Sequence, residues 1–179
     1  MIILASKSPR RRELIKKLTN EFTVIPSDVD ESLLVTTPHD LPGELSKLKA
    51  YSIFSKYPND TVLSCDTVVI LNNELMGKPH SEKEAKEMLK KLSGKKHVVI
   101  SGYTFINKNV EITRSVKTYV YFNELSDELI DAYIKSGSPM DKAGAYGIQD
   151  KEFNLVNHIE GSFDNVMGLP TEDIKAHCF

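Results

Sequence analysis

The first five residues, Met1 to Ala5, are continuously apolar, the pattern of a short strand covered on both faces. Polar residues then take over, and apolar positions return with helical spacing at Leu14, Ile15 and Leu18. Ser8 followed by Pro9 reads as an N-cap and a first helical position, so a helix is expected from Pro9 to about Leu18. Phe22 to Ile25 has the pattern of a second strand. From about Pro42 to Lys56 a helix would carry Leu45, Leu48, Ser52 and Ile53 on one side. Lys49 falls inside that stripe, four residues from both Leu45 and Ile53. The run from Thr61 to Leu71 is the strongest strand in the chain and should be central.

Asn72-Asn73-Glu74 reads as a turn, with Leu75 to Pro79 returning as a short strand that ends at Lys78. Ser81 and Glu84 form a capping-box pair ahead of Ala85, Met88, Leu89 and Leu92, and Gly94 stops that helix. His97 to Ile106 and Glu111 to Phe122 are β-rich runs joined by Asn107-Lys108-Asn109-Val110, a hairpin that brings antiparallel pairing into the fold. Ser126 caps a helix bearing Leu129, Ile130, Tyr133 and Ile134, which Gly137 ends. A small-residue stretch, Asp141 to Gln149, precedes a strand near Phe153 to Ile159, and a short helix starts at about Thr171. The expected fold is α/β, a mixed central sheet flanked by helices, in one domain over residues 1–179.

Composition narrows the class. At 179 residues with 40% apolar and 27% charged positions, the chain suits one soluble globular domain. A net charge of −2 gives no general electrostatic footprint for nucleic acid, so no stable nucleic-acid binding is expected. Two cysteines, Cys65 and Cys178, make neither a disulfide framework nor a zinc spacing. With no signal-like start and no apolar run near the ~20 residues of a membrane span, the expected location is the cytoplasm.

Against this ordinary background, Ser6-Lys7-Ser8-Pro9-Arg10-Arg11-Arg12 places three arginines in the first turn of a helix. Cations are unfavourable there by roughly 0.3–1 kcal/mol each, and an anion would reverse the sign. Helical spacing turns Arg10 and Arg11 towards the sheet, whereas Arg12 lines up with Lys16 on the solvent side. A basic surface turn is the alternative. Asp66 is the second exception, an ionisable carboxyl inside a near-continuous apolar strand, which is costly to bury unless paired or bound to a cation. Glu31, with Asp28 nearby, supplies further hard oxygen ligands of the kind magnesium or manganese accepts. Inward Lys49 could instead lay its stem on the core and lift its amine to water. Cations around a few carboxylates are what polyphosphate hydrolysis requires. No Ser/His/Cys triad, Walker A loop or dinucleotide fingerprint is present, and the five histidines read as surface groups.

Assembled in order, these residues closely resemble the Maf family of nucleoside triphosphate pyrophosphatases, also described as septum-formation inhibitor-like proteins. The resemblance is carried by Leu4 to Arg11, Asp28-Val29-Asp30-Glu31, Lys49-Ala50, Asp66-Thr67-Val68-Val69, Gly77-Lys78-Pro79, Asp141 to Gln149, and Asn165 to Pro170. It implies a fold like that of inosine triphosphate pyrophosphatases, with two lobes around a cleft, and hydrolysis of a nucleoside triphosphate to monophosphate and pyrophosphate. It also implies Asp66 as proton acceptor, a divalent cation (Mg²⁺ or Mn²⁺) held by Glu31 and Asp66, and phosphate contacts from Ser8, Arg11, Lys49 and Lys78. Arg10, Thr67 and Gln149 match positions tied to substrate choice in the dTTP/UTP branch.

That branch has a chemical rationale. Uracil and thymine present acceptor, N–H donor and acceptor along one edge, and a glutamine amide offers both a donor and an acceptor. A glutamate would better suit a donor-rich edge such as guanine's. Gln149 could instead cap loop backbone, and CTP or modified pyrimidine nucleotides stay open as substrates. One departure stands out, because Ser138 occupies the place before Pro139 where many relatives are acidic, which puts the strength of metal binding in question. A non-catalytic nucleotide-binding regulator of cell division is the alternative function, and a homodimer is one option for assembly.

Overall fold

The computed structural model describes residues 1–179. Seven strands form one mixed sheet: β1 (Ile2–Leu4), β2 (Phe22–Val24), β3 (Thr61–Leu71), β4 (Glu74–Met76), β5 (Lys96–Ile106), β6 (Glu111–Phe122) and β7 (Val156–Glu160). Their spatial order is β2-β1-β3-β5-β6-β7, with β4 paired to the far end of β3. β1 is parallel to β2 and β3, and every other pairing is antiparallel. β3 is thus an interior strand, as its apolar run requires. Asn72 and Asn73 both take positive φ (50° and 63°), the geometry of a tight hairpin that asparagine tolerates.

The six helices are α1 (Pro9–Leu14), α2 (Leu41–Phe54), α3 (Glu82–Leu92), α4 (Asp127–Lys135), α5 (Phe163–Met167) and α6 (Thr171–Cys178). α1 is shorter than the spacing suggested, its last turn tightening into a 3₁₀ segment at Ile15–Lys17. The hydroxyls of Ser8, Ser81 and Ser126 each accept from a backbone N–H three residues on, as the capping pattern indicates. β7 begins later than expected because Lys151–Phe153 forms a 3₁₀ turn. α5 was not visible in the periodicity; at five residues it is too short to show one.

Strand alternation divides the core. Leu4, Leu63 and Cys65 pack with Leu14, Ile15 and Ile174 on one face, whereas Ile3, Ala5 and Val62 pack with Ala50 and Ile53 of α2 on the other. Further along the first face, Val69, Leu71 and Val99 meet Ala85 and Leu89 of α3 and Ile130 and Tyr133 of α4. The same alternation continues through β3, so Asp66 points to the side of α2 and Thr67 to the side of α1.

α2 lies unusually close to the sheet. A Cβ at Gly102 in β5 would stand 2.2 Å from the backbone nitrogen of Gly43, so only glycine permits this approach. The Ser46 hydroxyl then bonds Thr104 across the interface at 2.9 Å, and the Ser64 hydroxyl donates to the Ser46 carbonyl. These small residues set which side of α2 faces inward. The expected stripe needs correcting: Leu45, Ser46, Ala50 and Ile53 are buried, but Leu48 is 37% exposed. His97 also departs from the surface placement expected of the histidines. It is buried in β5 with its Nε2 2.6 Å from the Tyr146 hydroxyl. No helix is long and apolar enough to cross a membrane.

Candidate active site

A cavity of about 260 Å³ opens between α1 and the 141–149 loop, and a more open basin of about 540 Å³ continues from it over the Ser6–Arg11 segment. Ser8, Arg10, Arg11, Glu31, Lys49, Asp66, Thr67, Lys78 and Gln149 all line the cavity. Apart from Asp28, the structure therefore brings together every residue singled out as a site candidate, from six separate stretches of chain.

The charged centre is Glu31–Lys49–Asp66. Lys49 Nζ stands 2.8 Å from Glu31 Oε1 and 3.0 Å from Asp66 Oδ1. Lys49 does not lift its amine to bulk water: its side chain is only 14% exposed. Burial pulls its pKa down most strongly, but the Asp66 charge and the bonds to both carboxylates outweigh that and hold it above the ordinary lysine value. Asp66 Oδ2 receives no hydrogen bond from the protein. Asp28 does not join this group; it is exposed and 3.9 Å from Lys56.

Arg11 enters the cavity from α1 with its guanidinium docked. Nε donates to the Gly168 carbonyl at 2.7 Å, while the two terminal nitrogens reach Ser6 Oγ at 3.3 Å and Thr67 Oγ1 at 3.1 Å. Those bonds use three of the five N–H donors of a guanidinium and leave the rest for a ligand. Thr67 is fixed in turn by Ser101, whose hydroxyl is 2.7 Å away and donates to the Asn165 carbonyl at 3.1 Å. With the Ser101 proton on that carbonyl, Thr67 donates to Ser101 in preference to the more distant Gly168 carbonyl at 3.4 Å, and it accepts from Arg11.

Arg10 lies 3.9 Å from Asp141. Burial lowers its pKa, against the pull of Asp141. Lys78 is exposed at the rim, two residues past β4, and Arg12 is exposed on the outer side of α1. The 141–149 loop contributes Lys142, Ala143, Tyr146, Gly147 and Gln149 to the wall. The hydrogen bonds around it leave the Gln149 amide without a protein partner, so Gln149 does not cap loop backbone. Between these groups the lining is apolar, with Val69, Val99, Val166 and Met167.

Two polar lining residues had not been singled out, Lys142 and Tyr146. Both lie in the Asp141–Gln149 stretch and are buried, Lys142 held by Ser138 and Asp141 and Tyr146 by His97; their common signal was a polar side chain in a run of alanines and glycines. Ser138 also finds a carboxylate, since its hydroxyl donates to Asp150 Oδ2. No set of three or more His, Cys, Asp or Glu side chains gathers here as a ready metal cage. Glu31 and Asp66, facing one cation, are nevertheless the donor set that a hard divalent ion uses when substrate phosphates and water complete its shell. The residues present fit such an ion.

A family model described as Maf-like protein matches residues 1–177. The dTTP/UTP pyrophosphatase of Thermosipho africanus is 51% identical over 173 residues, covering 97% of this chain and 89% of that protein. The dTTP/UTP pyrophosphatases of Thermococcus gammatolerans and Thermococcus onnurineus are 48% and 47% identical, covering 97% and 96% of this chain and 93% of each relative. Among solved structures, the Staphylococcus aureus Ham1 protein aligns with a TM-score of 0.49 at 20% identity, over 70% of this chain and 72% of that one.

Proposed function

We infer the function from the premise that this chain belongs to the Maf-like protein family: it is a nucleoside triphosphate pyrophosphatase that hydrolyses dTTP and UTP to the monophosphate and pyrophosphate. Relatives near half identity over almost the full length carry that enzyme name, which favours turnover over a purely regulatory role. The observation that carries the reading is the shared cavity, lined both by the Glu31–Lys49–Asp66 centre and by Gln149 with its unpartnered amide.

In this reading the triphosphate lies over Ser8, Arg11, Lys49 and Lys78. The unused guanidinium donors of Arg11 and the two ammonium groups take phosphate oxygens, where their charge is worth most in the transition state. Asp66 Oδ2, free of protein donors, accepts a proton from water as the water oxygen attacks the α-phosphorus. The bond from that phosphorus to the oxygen bridging to the β-phosphorus breaks, and pyrophosphate leaves. Lys49 holds Asp66 in place through Oδ1. Glu31 and Asp66 would hold a divalent cation, Mg²⁺ or Mn²⁺, which supplies neutralisation of phosphate charge when bound.

The base lies against Val69, Val99, Val166 and Met167, with Gln149 pairing to the acceptor–donor edge of uracil or thymine. Arg10 and Thr67 border the same space and contribute to substrate choice. Purified protein with magnesium or manganese should turn over dTTP and UTP, and Asp66→Asn should lower kcat by about 1,000-fold while nucleotide binding survives. Near wild-type turnover in that variant rejects Asp66 as the base.

A further inference from the structure

Gln149 has an amide that nothing in the protein holds, so the turn that carries it must aim it. Gly147 leaves no spare room beneath it: a Cβ there would stand 2.9 Å from Lys142 Cε and 3.0 Å from Gln149 Cδ. The turn is closed by the Asp150 N–H donating to the Gly147 carbonyl at 3.1 Å. What fixes this turn in space is a buried phenol. The Tyr133 hydroxyl, from α4, accepts the Gly147 N–H at 2.9 Å and donates to Asp150 Oδ2 at 2.6 Å. One oxygen atom thus grips both sides of Gln149.

The proton directions are determined. An amide N–H can only donate, so the Tyr133 oxygen accepts and its own proton goes to Asp150. On the other side, the Lys142 ammonium can only donate, and it reaches the Ser138 carbonyl at 2.6 Å and the Ser138 hydroxyl at 3.1 Å. Ser138 passes its proton to the same Asp150 oxygen. Two donor chains converge on one carboxylate, spanning the loop from Ser138 to Asp150. Burial, then the bond to Asp150, pushes the Tyr133 phenol well above the ordinary tyrosine value, so it keeps its proton. The ring is fully buried against Phe153, with centroids 4.8 Å apart.

We propose that Tyr133, together with Asp150, is a positioning residue for base selection, holding the Gly147–Asp150 turn so that the free Gln149 amide meets the pyrimidine edge. The proposal rests on the reading of Gln149 as the base contact. Neither Tyr133 nor Asp150 lines the cavity or the basin in which the phosphates are placed.

The test measures kcat and KM for dTTP, UTP and dGTP in the wild type, Tyr133→Phe, Asp150→Ala and Asp150→Asn, with thermal melting to show that each is folded. Tyr133→Phe and Asp150→Ala should raise KM for dTTP and UTP about 10-fold with kcat little changed, and lower the preference for dTTP over dGTP by a similar factor. Asp150→Asn keeps an oxygen that can accept from both hydroxyls and should restore most of that preference. Equal losses on all three nucleotides, or an unchanged preference in both disruptive variants, overturn the proposal while leaving the proposed function standing. A wild type with no preference for pyrimidine overturns the reading of Gln149 and this proposal with it.

Discussion

Lys49 Nζ bonds Asp66 Oδ1 at 3.0 Å and leaves Asp66 Oδ2 open to the cavity. The lysine comes from α2 and the aspartate from the even face of β3, so their meeting depends on how closely α2 rides on the sheet. Lys49 also holds Glu31 at 2.8 Å, and without it two carboxylates would face each other across the cavity. Lys49→Met is therefore expected to lower kcat/KM for dTTP by about 100-fold, or about 2.7 kcal/mol of transition-state stabilisation. Steady-state kinetics check this, and a loss under threefold would remove Lys49 from the mechanism.

Gln149→Glu replaces a donor–acceptor amide with an acceptor-only carboxylate. One of the two bonds to the uracil or thymine edge is lost and an acceptor faces an acceptor, so kcat/KM for dTTP and UTP should fall about 10- to 100-fold. Activity on a guanine nucleotide, whose edge carries donors, should fall less or rise. Competition between dTTP and dGTP in one reaction reads the change directly, and an unaltered ratio contradicts the assignment of Gln149.

His97 makes stability pH-dependent. Burial lowers its pKa from 6.5 to about 4 in the folded chain. Between those values the unfolded chain binds a proton that the folded chain does not, so stability falls as pH drops from 6.5 towards 4. The loss is about 3 kcal/mol once both values are passed. Denaturant titrations at pH 7 and pH 4.5 should show this decline, and His97→Gln should flatten it. An equal decline in that variant assigns the effect to other groups.

Much of this architecture was legible in the sequence because local signals and tertiary demands agreed. β3 is apolar where it is buried on both faces, and the serine-capped helices α1, α3 and α4 begin where their caps stand. Lys49 was legible from its spacing to Leu45 and Ile53. Leu48 was not, because α2 is pressed onto β5 by Gly43 and Ser46, and close approach of small residues decided the inward face against the larger leucine. His97 was hidden by its neighbours in β5, where nothing local tells a buried imidazole from an exposed one. The Tyr133–Asp150–Ser138 network was beyond sequence spacing altogether, since it joins α4 to a loop with no regular period. The candidate site was legible as a set of residue types that make no sense singly: arginines at a helix start, a carboxyl in an apolar strand, a lysine in a buried stripe.

The most direct test of the whole account identifies the products. Purified protein is incubated with dTTP, UTP, CTP, dATP and dGTP in the presence of magnesium, and the nucleotide and phosphate products are separated and counted. dTTP and UTP should be consumed fastest, each giving one monophosphate and one pyrophosphate, with no diphosphate. Release of orthophosphate with a nucleoside diphosphate, or no turnover of dTTP and UTP, would contradict it.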